Sequence, residues 1–202
     1  IISTMARNAL ASLDYDRAVQ AFEQAASSPS GETVPLLLAA AEIKAQLGDP
    51  AGAQRLLESA LAAGQTAAAR APVAERLAIL MEERGAAPAE VLRVLGPLAA
   101  DKEPRVLAAL GLAYLASGQT EQAELTFQTV LGGQSEAGAD AKARALLGNA
   151  EALARLIDGF ALDGSLDGLN ELTALVELLE ESYLGAARVG DPLVTPTALA
   201  RL

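Results

Sequence analysis

Alanine and leucine fill 81 of the 202 positions, 46 and 35 respectively. Alanine is the strongest helix former and leucine follows closely, so this pairing lets helices approach at small residues while large ones fill the space beside them. The same bias, with aromatics at only 3%, argues against an all-β fold. With 51% hydrophobic and 20% charged residues, the chain is too apolar and too weakly charged to stay disordered. Cysteine and histidine are both absent. That removes disulfides, a thiolate nucleophile, an imidazole base, zinc fingers and haem ligation, and neither a cofactor nor a metal ion is expected.

Fifteen basic against 26 acidic residues give a net charge of −11. Nucleic-acid binders concentrate positive charge, so DNA and RNA are not expected partners. The imbalance is uneven: residues 106–202 hold 5 basic and 13 acidic groups. A field of that sign steers a basic surface toward the C-terminal half and repels anionic membrane, although an acidic face that merely keeps a protein in solution accounts for it as well. Uncharged apolar stretches such as Val34–Ala41, eight residues, fall far short of the ~20 needed to span a bilayer, and membrane insertion is not expected. The chain opens on Ile1-Ile2 with no charged segment ahead of an apolar run. That favours the cytoplasm and leaves a periplasmic or secreted location open, because a native N-terminus ahead of Ile1 would change the reading.

Small residues recur in pairs twelve apart: Ala6/Ala18, Ala41/Ala53 and Gly111/Ala123. Four residues after the second member of each pair stand Phe22, Leu57 and Phe127, and seven after stand Ala25, Ala60 and Val130. That i, i+4, i+7 series makes the buried face of a helix. The fullest copy is Leu110-Gly111-Leu112-Ala113-Tyr114, then Gly118, Ala123, Phe127 and Val130. It resembles a tetratricopeptide repeat (TPR), a unit of about 34 residues in two antiparallel helices, A and B, with small residues where they cross. A fourth copy begins at Ala78 and continues through Glu90, Val94 and Pro97. Its crossing position holds Glu90 with Ala89 one residue early, which points to a one-residue slip in the Gly85-Ala86-Ala87-Pro88 turn. The copies lie 35, 37 and 33 residues apart, and the resemblance covers roughly residues 3–131.

Turn chemistry agrees. Asp14, Asp49 and Thr120 are placed to accept hydrogen bonds from free amides at helix starts, and Gly48-Asp49-Pro50 ends one helix and begins another. Helices are expected near 3–12, 15–27, 34–47, 51–63, 72–84, 89–100, 104–117 and 120–131, with linkers at Ser27–Gly31 and Gly132–Ser135. The repeats would run about 3–30, 34–64, 72–100 and 104–133 within residues 1–138. Over 139–202 the pattern loosens into a divergent C-terminal hairpin and capping segment. Leu147-Gly148-Asn149-Ala150 reads as a further helix A, and Leu166–Ala187 as its late partner, with a heptad stripe of Leu169, Leu172, Val176, Leu179 and Tyr183. Terminal repeats are often atypical because one side faces solvent. Thr195-Pro196 resembles a helix start close to the end, so a truncated chain is one reading.

Few residues suggest chemistry. Asp14/Asp16, Glu82/Glu83 and Glu180/Glu181 are paired carboxylates without a visible desolvated site, and helix caps and solvated faces explain them. Asp163-Gly164-Ser165-Leu166-Asp167-Gly168 matches the first half of a calcium loop. Its twelfth position is Ala174 where a bidentate glutamate belongs, so it reads as helix capping.

The TPR resemblance implies a right-handed all-α solenoid of about five antiparallel hairpins, the last divergent, with A helices lining a concave groove. Residues expected to face that groove are Leu38, Glu42, Gln46, Glu75, Ile79, Glu82, Arg105, Ala108, Leu112, Leu115, Lys142 and Asn149. Some members of the family hold a C-terminal carboxylate with lysine and asparagine at set groove positions. Here Arg7 is the only base on the first groove helix and no such set recurs, so the resemblance does not extend to that clamp. The implied function is a non-enzymatic scaffold that binds a protein or peptide segment. Two alternatives stand beside it: a regulatory or docking region of a larger protein whose catalytic domain lies elsewhere, and a module for self-association into a homo-oligomer.

Overall fold

The computed structural model describes residues 9, 14–27, 32–133, 138–161, 165–189 and 195–201. Among these residues every regular element is helical, and within each of two units consecutive helices pack against each other. The helix expected over 3–12, with Ala6 and Arg7, lies outside the described residues except for buried Ala9. The chain divides into two compact units, one ending at Ala87 and the other starting at Pro88.

The first unit contains α1 (Tyr15–Ala26), α2 (Thr33–Gln46), α3 (Pro50–Ala63) and α4 (Ala67–Glu83). Asp14 Oδ1 accepts the Arg17 amide at 3.2 Å and Asp49 Oδ1 the Gly52 amide at 2.8 Å, so both aspartates cap helices as their positions suggest. Ala41 and Ala53 are buried where α2 meets α3, and Leu57 and Ala60 follow on the same face of α3. Helix α4 starts five residues ahead of the expected residue 72. Thr66 Oγ1 caps it by accepting the Ala69 amide at 3.2 Å, and Pro72 lies inside it. Proline there forgoes one backbone bond, which the strong propensity of Ala67-Ala68-Ala69 helps to offset.

The second unit begins with α5 (Pro88–Leu95), which tightens into a 3₁₀ turn over Gly96–Asp101. It continues with α6 (Pro104–Ala116), α7 (Thr120–Gly132), α8 (Ala139–Asp158), α9 (Leu166–Val189) and α10 (Thr195–Leu199). A single helix over 89–100 was expected. Pro97 has no amide to donate to the carbonyl four residues back, and the regular helix stops two residues before it. Thr120 does not cap α7; it is the first helical residue, after Gln119, and no side chain accepts an amide there.

Three helix ends share one geometry. Gly48, Gly85 and Gly118 have φ of +77°, +72° and +79°, which costs glycine nothing and other residues strain. After each, the next amide reaches back to a carbonyl five residues earlier: Asp49 to Lys44, Ala86 to Met81, Gln119 to Tyr114, all at 2.9 Å. These are Schellman ends. The following helix starts two residues after Gly48 and Gly118 but three after Gly85. The slip inferred from sequence is therefore present, in the opposite direction from Ala89. Val91 and Leu95 are buried, standing where Ala53/Leu57 and Ala123/Phe127 stand in their hairpins, while Ala89 and Glu90 are exposed.

Candidate functional site

In the first unit the starts of α2 and α4 enclose an open depression of about 430 Å³, lined by Val34, Pro35, Leu38, Thr66, Ala69 and Pro72 with Thr33, Ala63 and Gln65 at its edge. No charged side chain lines it. Leu38 is the one expected groove residue within it; Glu42 and Gln46 continue along the same face of α2 at one-turn intervals and are exposed. On α4 the accessible edge runs through Pro72, Arg76, Ile79 and Glu83, with Arg76 and Glu83 paired at 3.8 Å. Glu82 is exposed as well. Glu75 is not: at 9% exposure it belongs to the interior, because it falls on the side of α4 that carries Ala71, Ala74 and Ala78. It presents nothing to a partner.

In the second unit α6 and α8 run side by side in the same direction. A Cβ on Gly138, ahead of α8, would lie 3.6 Å from Arg105 Nη2 near the start of α6. At the other end, Arg155 Nη1 donates to the Leu115 carbonyl at 2.5 Å, placing a cation where the α6 dipole is negative. Arg105 and Leu112 are half-buried and accessible. Ala108 and Leu115 are 2% and 3% exposed, so the two removed from the expected groove on α6 are core residues, and the accessible edge of that helix is Arg105, Leu112 and Ala116.

On α8 the expected register is wrong. Lys142 is exposed but lines a different depression, beside α9, and Asn149 is buried with Nδ2 donating to Ser182 Oγ of α9 at 3.0 Å. Lys142 and Asn149 stand at the same offsets from Gly148 as Arg105 and Leu112 do from Gly111, but Gly148 is not the counterpart of Gly111. Gly111 meets Phe127 from the preceding helix and Gly148 meets it from the following one; a Cβ on either would stand 2.7 Å from a ring atom. With Gly148 turned to Phe127, the residue of α8 that meets α6 is Arg155. No residue spacing signals this, because it depends on which neighbour Phe127 reaches.

Asp49 and Ser165 cap helices. Asp49 is held below its ordinary value of 3.8, chiefly by the Gly52 amide and then by Lys44, whose Nζ lies 3.3 Å from Oδ2. Of the half calcium loop, residues 163 and 164 lie outside the described residues, and Ser165 Oγ accepts the Gly168 amide at 2.9 Å, capping α9. Among the described residues no group of carboxylates is arranged to hold a metal ion, and no helix is long and apolar enough to cross a membrane.

A solved tetratricopeptide repeat protein from Parabacteroides merdae superposes on 98% of this chain and 75% of its own, with a TM-score of 0.59 and 20% identity. The chain thus has an all-α, TPR-like helical-repeat fold. No sequence model of a known family matches it. No curated protein matches it either.

Proposed function

We propose that the chain is a non-enzymatic interaction module, acting in the cytoplasm, that holds a short segment of a protein partner against the accessible edges of its A helices. The uncharged depression between α2 and α4 carries this reading. Its volume of about 430 Å³ falls within the ~300–1,000 Å³ typical of ligand pockets, and its open form suits the side chains of a peptide. Val34, Pro35, Leu38 and Pro72 supply apolar contact, while Thr33, Gln65 and Thr66 offer hydrogen bonds at the rim. Within the second unit, Arg105 and Leu112 of α6 offer a more polar edge of the same kind. Affinity then rests on burying an apolar strip with a satisfied polar border, with no bond made or broken.

Selection of a random displayed-peptide library on the full chain tests this. Enriched peptides should lose most of their binding to Leu38→Asp or to Leu112→Glu, with far-UV circular dichroism unchanged. If they bind both variants as tightly as the wild type, the A-helix faces are not the site.

A further inference from the structure

Helix α9 is 24 residues long, yet its buried residues are Ser182, Tyr183 and Ala186, all near its C-terminal end. Its heptad stripe changes character along its length. Tyr183 belongs to one apolar cluster with Ala143 and Ala150 of α8 and Ala198 of α10, and Leu179 packs against that cluster. Two turns earlier the same stripe is open: Val176 is 37% and Leu169 53% exposed. Leu166, one turn before Leu169, is 73% exposed. A seam spaced at 3.5 residues is what a second helix packs on. Here the chain's own α8 and short helix α10 cover only its C-terminal end.

The charge around the open part indicates what would cover it. From Leu166 to Ala187, α9 carries Asp167, Glu171, Glu177, Glu180 and Glu181 and no lysine or arginine. None of the five makes an ion pair among the described residues. Lys142 and Arg188 share a depression of about 570 Å³ with Glu177, Glu180 and Glu181, beside Leu184 and Val189, so two cations stand against three carboxylates there, while Asp167 and Glu171 lie outside it. A second copy of the chain is the wrong occupant, since a two-fold pairing of α9 with itself sets this acidic helix against its like. We infer that the open stripe of α9 docks an amphipathic helix of another protein. That helix sets apolar side chains on Leu169 and Val176 and lysine or arginine opposite Glu177 and Glu180. The surface is separate from the A-helix faces, and either can fail without the other.

The probe is a labelled synthetic helix of about three heptads with leucine at the a and d positions and lysine elsewhere; the control replaces every lysine with glutamate. Titrated with the full chain, the lysine helix should saturate at one per chain. Val176→Glu should weaken it by about tenfold or more, and so should Glu177→Lys with Glu180→Lys. Raising ionic strength from about 0.05 to about 0.5 M should weaken it severalfold. Zero-length carbodiimide cross-links should map to Glu177 or Glu180. Leu112→Glu, on α6, should leave the affinity unchanged. These exposed positions tolerate substitution, and circular dichroism checks each variant. Equal binding by Val176→Glu, equal binding of the glutamate helix, cross-links confined to other carboxylates, or a concentration-dependent dimer that Val176→Glu disperses would each overturn the assignment.

Discussion

The ring of Phe127 occupies the space that a side chain on Gly148 would need: a Cβ there would stand 2.7 Å from Cε1. Phe127 is fully buried, and Gly111 meets the same ring from the other helix. One aromatic side chain therefore pins α7 between α6 and α8. Glycine inside a helix ordinarily costs ~0.5–1 kcal/mol relative to alanine, so Gly→Ala would normally stabilise. Gly148→Ala should instead destabilise by about 1–3 kcal/mol through overpacking, and Gly111→Leu by at least as much. Phe127→Ala should cost about 3–5 kcal/mol. Gly132→Ala, at the end of α7 with nothing within 4 Å of the new methyl, is the contrast and should be neutral or better. Thermal melts of the four variants decide, and a Gly148→Ala protein as stable as Gly132→Ala would remove the ring from this role.

Local chemistry was legible in the sequence, and tertiary register was not. Gly48 and Gly118 end helices through backbone conformation alone, and the caps by Asp14 and Asp49 depend on amides three residues away. The small pairs Ala41/Ala53 and Gly111/Ala123 were equally readable, because hairpin partners are neighbours in sequence. The fourth copy departs from the small-residue pattern because the longer turn after Gly85 delivers Val91 to the crossing position. The groove on α8 misled for a different reason: Gly148 answers to Phe127, a residue of the preceding hairpin. For α4, the helix begins at Ala67 and not near residue 72, because the run Ala67-Ala68-Ala69 favours helix strongly enough to carry Pro72 inside it.

Asp49 links helix capping to pH. Its carboxylate accepts the Gly52 amide and pairs with Lys44, and its folded value lies below 3.8. A carboxyl with a depressed folded value contributes stability that is present above the ordinary value and is lost as pH falls through the folded one. Asp49→Asn keeps an acceptor for the amide but removes the charge. The wild type should melt higher than Asp49→Asn at neutral pH, and the two curves should converge below about pH 4. A gap that stays constant down to pH 2 would show that the charge adds nothing.

Tyr183 gives the alkaline counterpart. Burial raises its phenol above 10.0, with Glu151 raising it further and Arg201 opposing. Stability tied to the neutral phenol is complete below the ordinary value and declines as pH rises through the folded one. Tyr183→Phe has no proton to lose. It should melt close to the wild type at pH 7 and overtake it above about pH 10, as followed by circular dichroism with the 295 nm phenolate absorbance recorded alongside. Parallel loss of both proteins across that range would mean that other groups govern the alkaline limb.

Asn149 and Ser182 form the buried polar contact between α8 and α9, and it is incomplete. Nδ2 donates to Ser182 Oγ at 3.0 Å, while Oδ1 is buried with no hydrogen-bond partner. Leaving a buried polar group unpaired costs about 1–3 kcal/mol, whereas replacing both partners with apolar groups of similar shape is often neutral. Ser182→Ala alone strips the amide of its remaining partner and should destabilise by about that amount. Asn149→Leu alone removes the orphan oxygen and leaves a small hydroxyl that can turn to a helix carbonyl, so its effect should be smaller. The double variant should equal or exceed the wild type, since apolar contact then replaces a half-satisfied pair. A double-mutant cycle from urea unfolding reads the coupling directly, and about 0.5–3 kcal/mol is the range expected for residues in contact. Strict additivity would mean that the bond between Asn149 and Ser182 contributes nothing to joining α8 and α9, and that their apolar neighbours Leu146, Tyr183 and Ala186 hold the hairpin without it.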